Sequence, residues 1–350
     1  MMMTRELSAL RGRDRAPASR HRLPHSVAAA LLALATTLAP AQAAEPVRIG
    51  IGFGLAFLPI YVCEDLRLIE KEGKALHLAL KASYRRFLGP GPLHDAIASG
   101  GIDMGPYGLA PLLVQWAQAR GKPRQILAVS GVTTLPLTLL SNRARLRTLA
   151  DLRPSDRIAL PTAFSPQLYL LQMQSEKVFG QFDRLHSQII VLKPADAVAA
   201  LISGSEPAAY FSSPPYTEIA LSDPRIHKML TSAEVIGGRS SFLVIGATRR
   251  YVAAHPKIAA AVGKAMDAAA KIIRDDPRRA AQIYLAHEPS KALTQRTLNA
   301  IIDDIKGEFG SAVYGVQVFA DFLSRRGALK SSPQSWKEIV APALLKSPST

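Results

Sequence analysis

Eight histidines, one cysteine and 27 acidic side chains are spread over 350 residues without forming a familiar catalytic spacing. There is no Gly-x-Ser-x-Gly elbow, no His-Glu-x-x-His pair and no phosphate-binding P-loop, so acyl transfer, zinc hydrolysis and nucleotide hydrolysis lack their residues. His21 and His25 fall in an expected leader, and no other two histidines stand at metal-ligand spacing. Gly50-x-Gly52-x-Gly54 follows an apolar run and invites a dinucleotide reading. The third glycine of that fingerprint belongs at position 55, which is Leu. These glycines read instead as backbone room for a ligand or for tight packing. The expectation is a protein with no catalytic group, cofactor or metal.

What the sequence does offer is a set of Gly-, Pro- and hydroxyl-rich loops, each after an apolar run. Residues 52–57 contain Phe53, Gly54 and Phe57; Gly89-Pro90-Gly91-Pro92 leads into a helical pattern; Gly105-Pro106-Tyr107-Gly108 closes a strand pattern. Thr162-Ala163-Phe164-Ser165-Pro166 opens another helix, and Ser212-Ser213-Pro214-Pro215-Tyr216 follows a further strand. Open α/β sheets bind ligands at the carboxyl ends of their strands, so these loops are expected to line one cleft. Ser165 before Pro166 suits an anion at a helix start, or it caps its own helix. Phe53, Phe57, Tyr107 and Phe164 supply apolar walls or belong to the core, and the Tyr107 hydroxyl adds a donor. Thr162, Ser212, Ser213 and Tyr216 supply hydroxyls, Gly54, Gly89 and Gly91 supply backbone access, and Arg239 is a planar donor for an anion or a solvated surface charge.

Apolar runs alternating with helical patterns predict βα units and a largely parallel sheet. Strands are expected at 47–51, 76–80, 102–107 and 124–131, with helices at 59–71, 92–99 and 109–119. A second unit repeats this outline, with strands at 137–141, 157–160, 188–192 and 208–211 and helices at 166–179 and 196–202. Ile97-Ala98-Ser99-Gly100 and Leu201-Ile202-Ser203-Gly204 end corresponding helices with a glycine suited to the left-handed position. A return strand at 241–247 and C-terminal amphipathic helices, one with Ile258, Val262, Ala265, Met266, Ala269, Ile272 and Ile273 on one face, complete the chain. The expected organisation is a signal peptide at 1–43, lobe I at 44–134 and 238–350, and lobe II at 135–237. Crossings at 133–136 and 237–239 form the hinge.

Arg5, Arg11, Arg13, Arg15, Arg20 and Arg22 precede an apolar run at 27–38 and Ala41-Gln42-Ala43. That order reads as a cleaved secretory signal, and its apolar run is too short to span a bilayer. Export to the periplasm as a monomer is expected. Loss of the segment lowers the net charge from +16 to +12. The cations are scattered and not interleaved with aromatics, which speaks against nucleic acid. Cys63 lies in a helical pattern and reads as a small buried residue.

Several of these segments, in this order and spacing, resemble the substrate-binding proteins of ABC importers of the nitrate/sulfonate/taurine class and the related pyrimidine-precursor binders. The resemblance covers most of the chain after the leader. It rests on Val47-Arg48-Ile49-Gly50, Leu58-Pro59-Ile60-Tyr61-Val62, Ile69-Glu70-Lys71-Glu72-Gly73 and Ala98-Ser99-Gly100-Gly101-Ile102-Asp103-Met104-Gly105. Leu149-Ala150-Asp151-Leu152, Leu192-Lys193-Pro194-Ala195-Asp196-Ala197 and Asp275-Asp276-Pro277 continue it. The resemblance implies a type II periplasmic-binding fold that closes on a small, anionic organic solute and passes it to a permease with a cytoplasmic ATPase. It places the cleft on the same loops. Ser205-Glu206-Pro207 departs from the usual pattern at the entry to a strand, and Ser213-Pro214-Pro215 lacks the acidic loop contact that the family offers an amine such as taurine, although Glu218 is near. Binding or synthesis of a thiamin-precursor pyrimidine, or ligand sensing for a signalling partner, are the alternative roles.

Overall fold

A computed structural model describes residues 43–346 and 349; the leader, with its cleavage site, lies outside them except for Ala43. The apolar run after Pro46 forms β1 (Glu45–Ile51), buried on both faces from Ile49 onward and flanked by parallel neighbours. β2 (Leu80–Arg86), β3 (Met104–Gly108) and β4 (Ile126–Thr133) follow, separated by α1 (Leu58–Leu66), α2 (Leu68–Ala75), α3 (Pro90–Ser99) and α4 (Leu109–Gln118). The chain then enters a second sheet. β5 (Thr138–Ser141), β6 (Ile158–Leu160), β7 (Ile189–Val191), β8 (Ala209–Ser212) and β9 (His227–Thr231) alternate with α5 (Pro166–Phe179), α6 (Pro194–Ser203) and α7 (Tyr216–Leu221). After α8 (Ser232–Ile236) it returns as β10 (Leu243–Thr248).

The first sheet runs β2-β1-β3-β10-β4 and the second β7-β6-β8-β5-β9. In both, the fourth position is antiparallel to its neighbours and is taken by the strand that has just crossed over: β10 beside β3 and β4, β5 beside β8 and β9. Two units with one strand arrangement thus exchange a strand. The crossings are bonded to their surroundings: Ser232 N donates to Leu137 O at 2.8 Å and Phe242 N to Thr133 O at 2.8 Å.

Expected and observed elements differ mostly at sheet edges. The strand expected at 76–80 is β2, four residues later, because Leu76 and Leu78 close the turn after α2 and His77 takes a left-handed φ of 61°. β2 is an edge strand whose Lys81, Ser83 and Arg85 face solvent, so its apolar signal is weak. The helix expected at 59–71 is divided at Arg67, φ 51°. The short edge strand β9, His-Lys-Met-Leu-Thr, carries too few apolar residues to read as a strand.

C-terminal helices cover the first sheet: α9 (Arg249–Ala254), α10 (Pro256–Asp275), α11 (Pro277–His287), α12 (Gln295–Ile305) and α13 (Val316–Arg325). The buried face of α10, with Ile258, Val262, Ala265, Met266, Ala269 and Ile273, packs on α1, α2 and β4. Each of its large side chains contributes about 1.5–3 kcal/mol on burial. Cys63 is buried against it, Sγ 3.4 Å from Ala265 O. No described helix is long and apolar enough to cross a membrane.

Candidate ligand-binding cleft

The two sheets approach each other at the carboxyl end of β3. Gly108 lies so close to Pro166, the first residue of α5, that a Cβ on Gly108 would collide with the proline ring. This contact sets Tyr107 and Gly108 of the first sheet beside Ser165 and Gln167 of the second. Ser165 occupies the N-cap of α5, but its side chain makes no cap hydrogen bond. Its hydroxyl is buried with no partner among the described residues.

The same holds for the side-chain oxygens of Tyr107, Thr162, Thr217 and Gln167, and for Ser212 except that it lies close enough to the Tyr210 phenol to favour its ionised form. Each lies at a strand end, in the loop that follows or in the first turns of the next helix. A buried polar atom left without a bond costs about 1–3 kcal/mol; others, among them Tyr84, Asn142 and Tyr251, lie away from these strand ends. Hydroxyls both donate and accept, and such a set can bind an oxyanion without supplying a charge.

Large apolar side chains are exposed on the same loops. Phe53 is 50 % exposed, Leu88 95 % and Phe164 72 %. Phe57 behaves differently, since its ring lies on the backbone of Gly52, where a Cβ would meet Phe57 Cζ at 2.5 Å. Gly50 likewise admits Ile102 and Leu93, so both glycines serve packing. Gly54, with φ 106°, requires glycine for its backbone conformation. Gly89 is extended, φ 179°, just before α3, and Gly91 lies in the first turn of that helix; neither is crowded. Ser212 ends β8, Ser213 is partly buried after it, and Tyr216 starts α7 after the cis Pro214-Pro215 bond. Burial raises the Tyr216 phenol, and the Glu288 carboxylate adds to the rise, placing Tyr216 of the second unit near Glu288 of the first.

Arg239 lies at the second crossing, next to Ser240 and Ser241, which line a small cavity together with Pro166. Its Nε donates to Thr134 Oγ1 at 2.9 Å and its Nη2 to Gly307 O at 2.6 Å, with Glu308 Oε2 3.3 Å away. The guanidinium lies 5.1 Å from the Tyr314 ring centroid. Nε and Nη2 tie the two crossings to the C-terminal segment, while Nη1 makes no bond among the described residues.

Other residues at this end of the first sheet gave no signal in the sequence. His94, on α3, stacks on Tyr107 with centroids 3.8 Å apart and planes 5° from parallel. Burial lowers its pKa to about 4, so it is neutral at physiological pH. Gln115 Nε2 lies 3.3 Å from its Nδ1. Glu288, just after α11, accepts from Gly54 N at 2.6 Å and Tyr61 Oη at 2.5 Å through Oε1, and from Tyr284 Oη at 3.2 Å through Oε2. Arg86, at the end of β2, places Nη1 3.4 Å from Tyr61 Oη and Nη2 2.8 Å from His287 Nδ1. Its charge lies 5.0 Å from the Tyr61 ring centroid and 5.5 Å from that of Phe53.

A cavity of about 200 Å³ lined by Ala117, Gln118, Gly327, Ala328 and Lys330 lies at the far end of α4 and takes no part in this arrangement. Among the described residues no three His, Cys, Asp or Glu side chains form a metal-holding group.

Two exchanged-strand α/β units with facing strand ends match a known architecture. The fold is that of the periplasmic binding proteins. The alkanesulfonate-binding protein SsuA from Xanthomonas axonopodis pv. citri, bound to MOPS, superposes with a TM-score of 0.63 at 21 % identity, covering 85 % of this chain and 97 % of its own. The periplasmic aliphatic sulphonate binding protein SsuA from Escherichia coli gives 0.65 at 18 % identity, covering 85 % and 97 %. The periplasmic nitrate-binding protein NrtA from Synechocystis PCC 6803 gives 0.62 at 16 % identity, covering 86 % and 87 %. No protein-family model and no curated protein matches the sequence. The periplasmic-binding fold is therefore established by structure.

Proposed function

We propose that the protein is an exported solute receptor that captures a small organic anion between its two α/β units and delivers it, unaltered, to an ABC importer. The observation that carries this reading is the group of buried hydroxyls without partners at the strand ends of both sheets: Tyr107, Ser165, Ser212 and Thr217, with Thr162 beside them. Hydroxyls and the start of α5 suit an oxyanion, while the exposed rings of Phe53 and Phe164 suit an apolar substituent on it. Gly54, Gly89, Gly91, Phe57, Ser213 and Tyr216 complete the proposed lining. The crossings after β4 and before β10 act as the hinge. The basic leader supports periplasmic export, and the solutes named for the sulfonate- and nitrate-binding neighbours support an anion.

The two exposed rings also favour a second reading, a planar pyrimidine stacked on one of them. One experiment addresses both. Protein comprising residues 44–350 is screened by thermal shift against alkanesulfonates, nitrate, small carboxylates and pyrimidines. A saturable rise in melting temperature with an anion is expected. Response to pyrimidines alone would move the assignment to the second reading, and no response across the panel would refute both.

A further inference from the structure

Three donors fixed by the fold converge on one carboxylate at the carboxyl end of β1. The Gly54 N–H and the Tyr61 hydroxyl meet on Glu288 Oε1, the Tyr284 hydroxyl reaches Oε2, and the Arg86 guanidinium touches Tyr61. The Tyr61 hydroxyl also lies 3.0 Å from Gly52 O, and its single proton is directed at the nearer Glu288 Oε1, 2.5 Å away. The site is also part of the candidate cleft: Gly54 follows the exposed ring of Phe53, and Tyr216 of the second unit lies near Glu288. Burial, reinforced by Glu288, keeps both phenols protonated and hence donating.

Glu288 is the C-cap of α11, its own N–H bonded to Tyr284 O at 2.7 Å, so its carboxylate leaves the donors by side-chain rotation. It follows the last residue of α11, and the next residues, Pro289, Ser290 and Lys291, are exposed and belong to neither helix nor strand. Arg86 forms no ion pair within 4.0 Å among the described residues; its Nη1 and Nη2 face Tyr61 Oη and His287 Nδ1, and its charge also favours the ionised form of Glu64.

We infer that Glu288 is a tethered competitor: its carboxylate occupies the oxyanion subsite formed by Gly54, Tyr61 and Arg86, and a solute's anionic group displaces it on binding. This rests on the receptor reading above and adds a threshold to it. Two anions cannot share donors that converge on one oxygen, so only a solute that outcompetes the tethered carboxylate closes the cleft.

The test is isothermal titration of wild-type protein, E288Q and E288A with ethanesulfonate and with nitrate. E288Q preserves side-chain volume and one acceptor, and serves if E288A does not fold. Removing the competitor is expected to tighten binding about tenfold, the equivalent of one charge-assisted bond. Adding Tyr61→Phe to E288Q should weaken it again by a similar factor, which a purely structural Glu288 would not produce. Equal or weaker binding by the Glu288 variants, with a wild type that binds, overturns the competitor role and leaves the receptor reading intact. Failure of wild type and variants alike to bind either probe overturns the inference, and silence across the wider panel overturns the receptor reading as well.

Discussion

Gly108 at the end of β3 and Pro166 at the start of α5 are in contact at a distance that leaves no room for a side-chain carbon on the glycine. The φ of Gly108 is −66°, open to any residue, so the neighbour and not the backbone demands glycine. Gly108→Ala should therefore overpack the junction between the two units. The expected cost is about 1–3 kcal/mol, measured by urea denaturation, together with weaker solute binding as the start of α5 shifts. Combining it with Pro166→Ala should recover part of both losses. Full stability in Gly108→Ala alone would show that the junction yields freely.

Much of this architecture is legible in the chain because its interior strands are buried on both faces: β1 and β4 stand out as apolar runs, and β3 as a short buried Met-Gly-Pro-Tyr-Gly stretch. The edge strands are not, since Lys81, Ser83 and Arg85 on β2 face water and alternate with small or partly buried residues. The cleft loops were readable for a related reason, as each strand-to-helix junction needs turn residues. Glu288 was not readable: it meets Gly54 across 234 positions, and no local pattern links them. Tyr61 looks like any apolar residue on the buried face of α1, and Arg86 is one of 43 basic residues. Only the fold distinguishes them.

His94 makes stability depend on pH. Its pKa falls from an ordinary 6.5 to about 4 on folding, chiefly through burial. Between those values the unfolded chain binds a proton that the folded protein excludes, so stability rises with pH across the window and is lost as pH falls from about 6.5 to 4. The full effect is about 3 kcal/mol. Denaturant unfolding at pH 4.5 and 7.5 should show most of this difference in wild type and much less in His94→Phe, which retains an aromatic ring against Tyr107. Identical pH slopes would remove His94 as the source.

Arg239 should matter to the hinge more than to the solute. Its bonds to Thr134 and Gly307 link the two crossings to the segment after α12. Arg239→Ala is expected to lower stability by about 1–2 kcal/mol, the exposed pairing with Glu308 adding little. Small-angle scattering of the solute-free variant should show a larger radius of gyration, and affinity should change less than about threefold. Loss of binding with unchanged stability would instead place Arg239 in the cleft.

Ser165 and Ser212 provide the sharpest separation between stability and function. The Ser165 hydroxyl is buried without a partner and that of Ser212 meets only the Tyr210 phenol, and replacing an unsatisfied buried polar atom by hydrogen removes a penalty rather than a bond. Ser165→Ala and Ser212→Ala should therefore leave the unfolding midpoint unchanged or raise it by up to about 1 kcal/mol equivalent. Solute affinity should fall about tenfold in each, since a hydrogen bond to an anion is worth about 1.5–3 kcal/mol. Paired denaturation and titration experiments measure both quantities on the same preparations. A fall in stability with affinity intact would mean that these hydroxyls are bonded within the protein, and the hydroxyl-lined cleft would have to be abandoned.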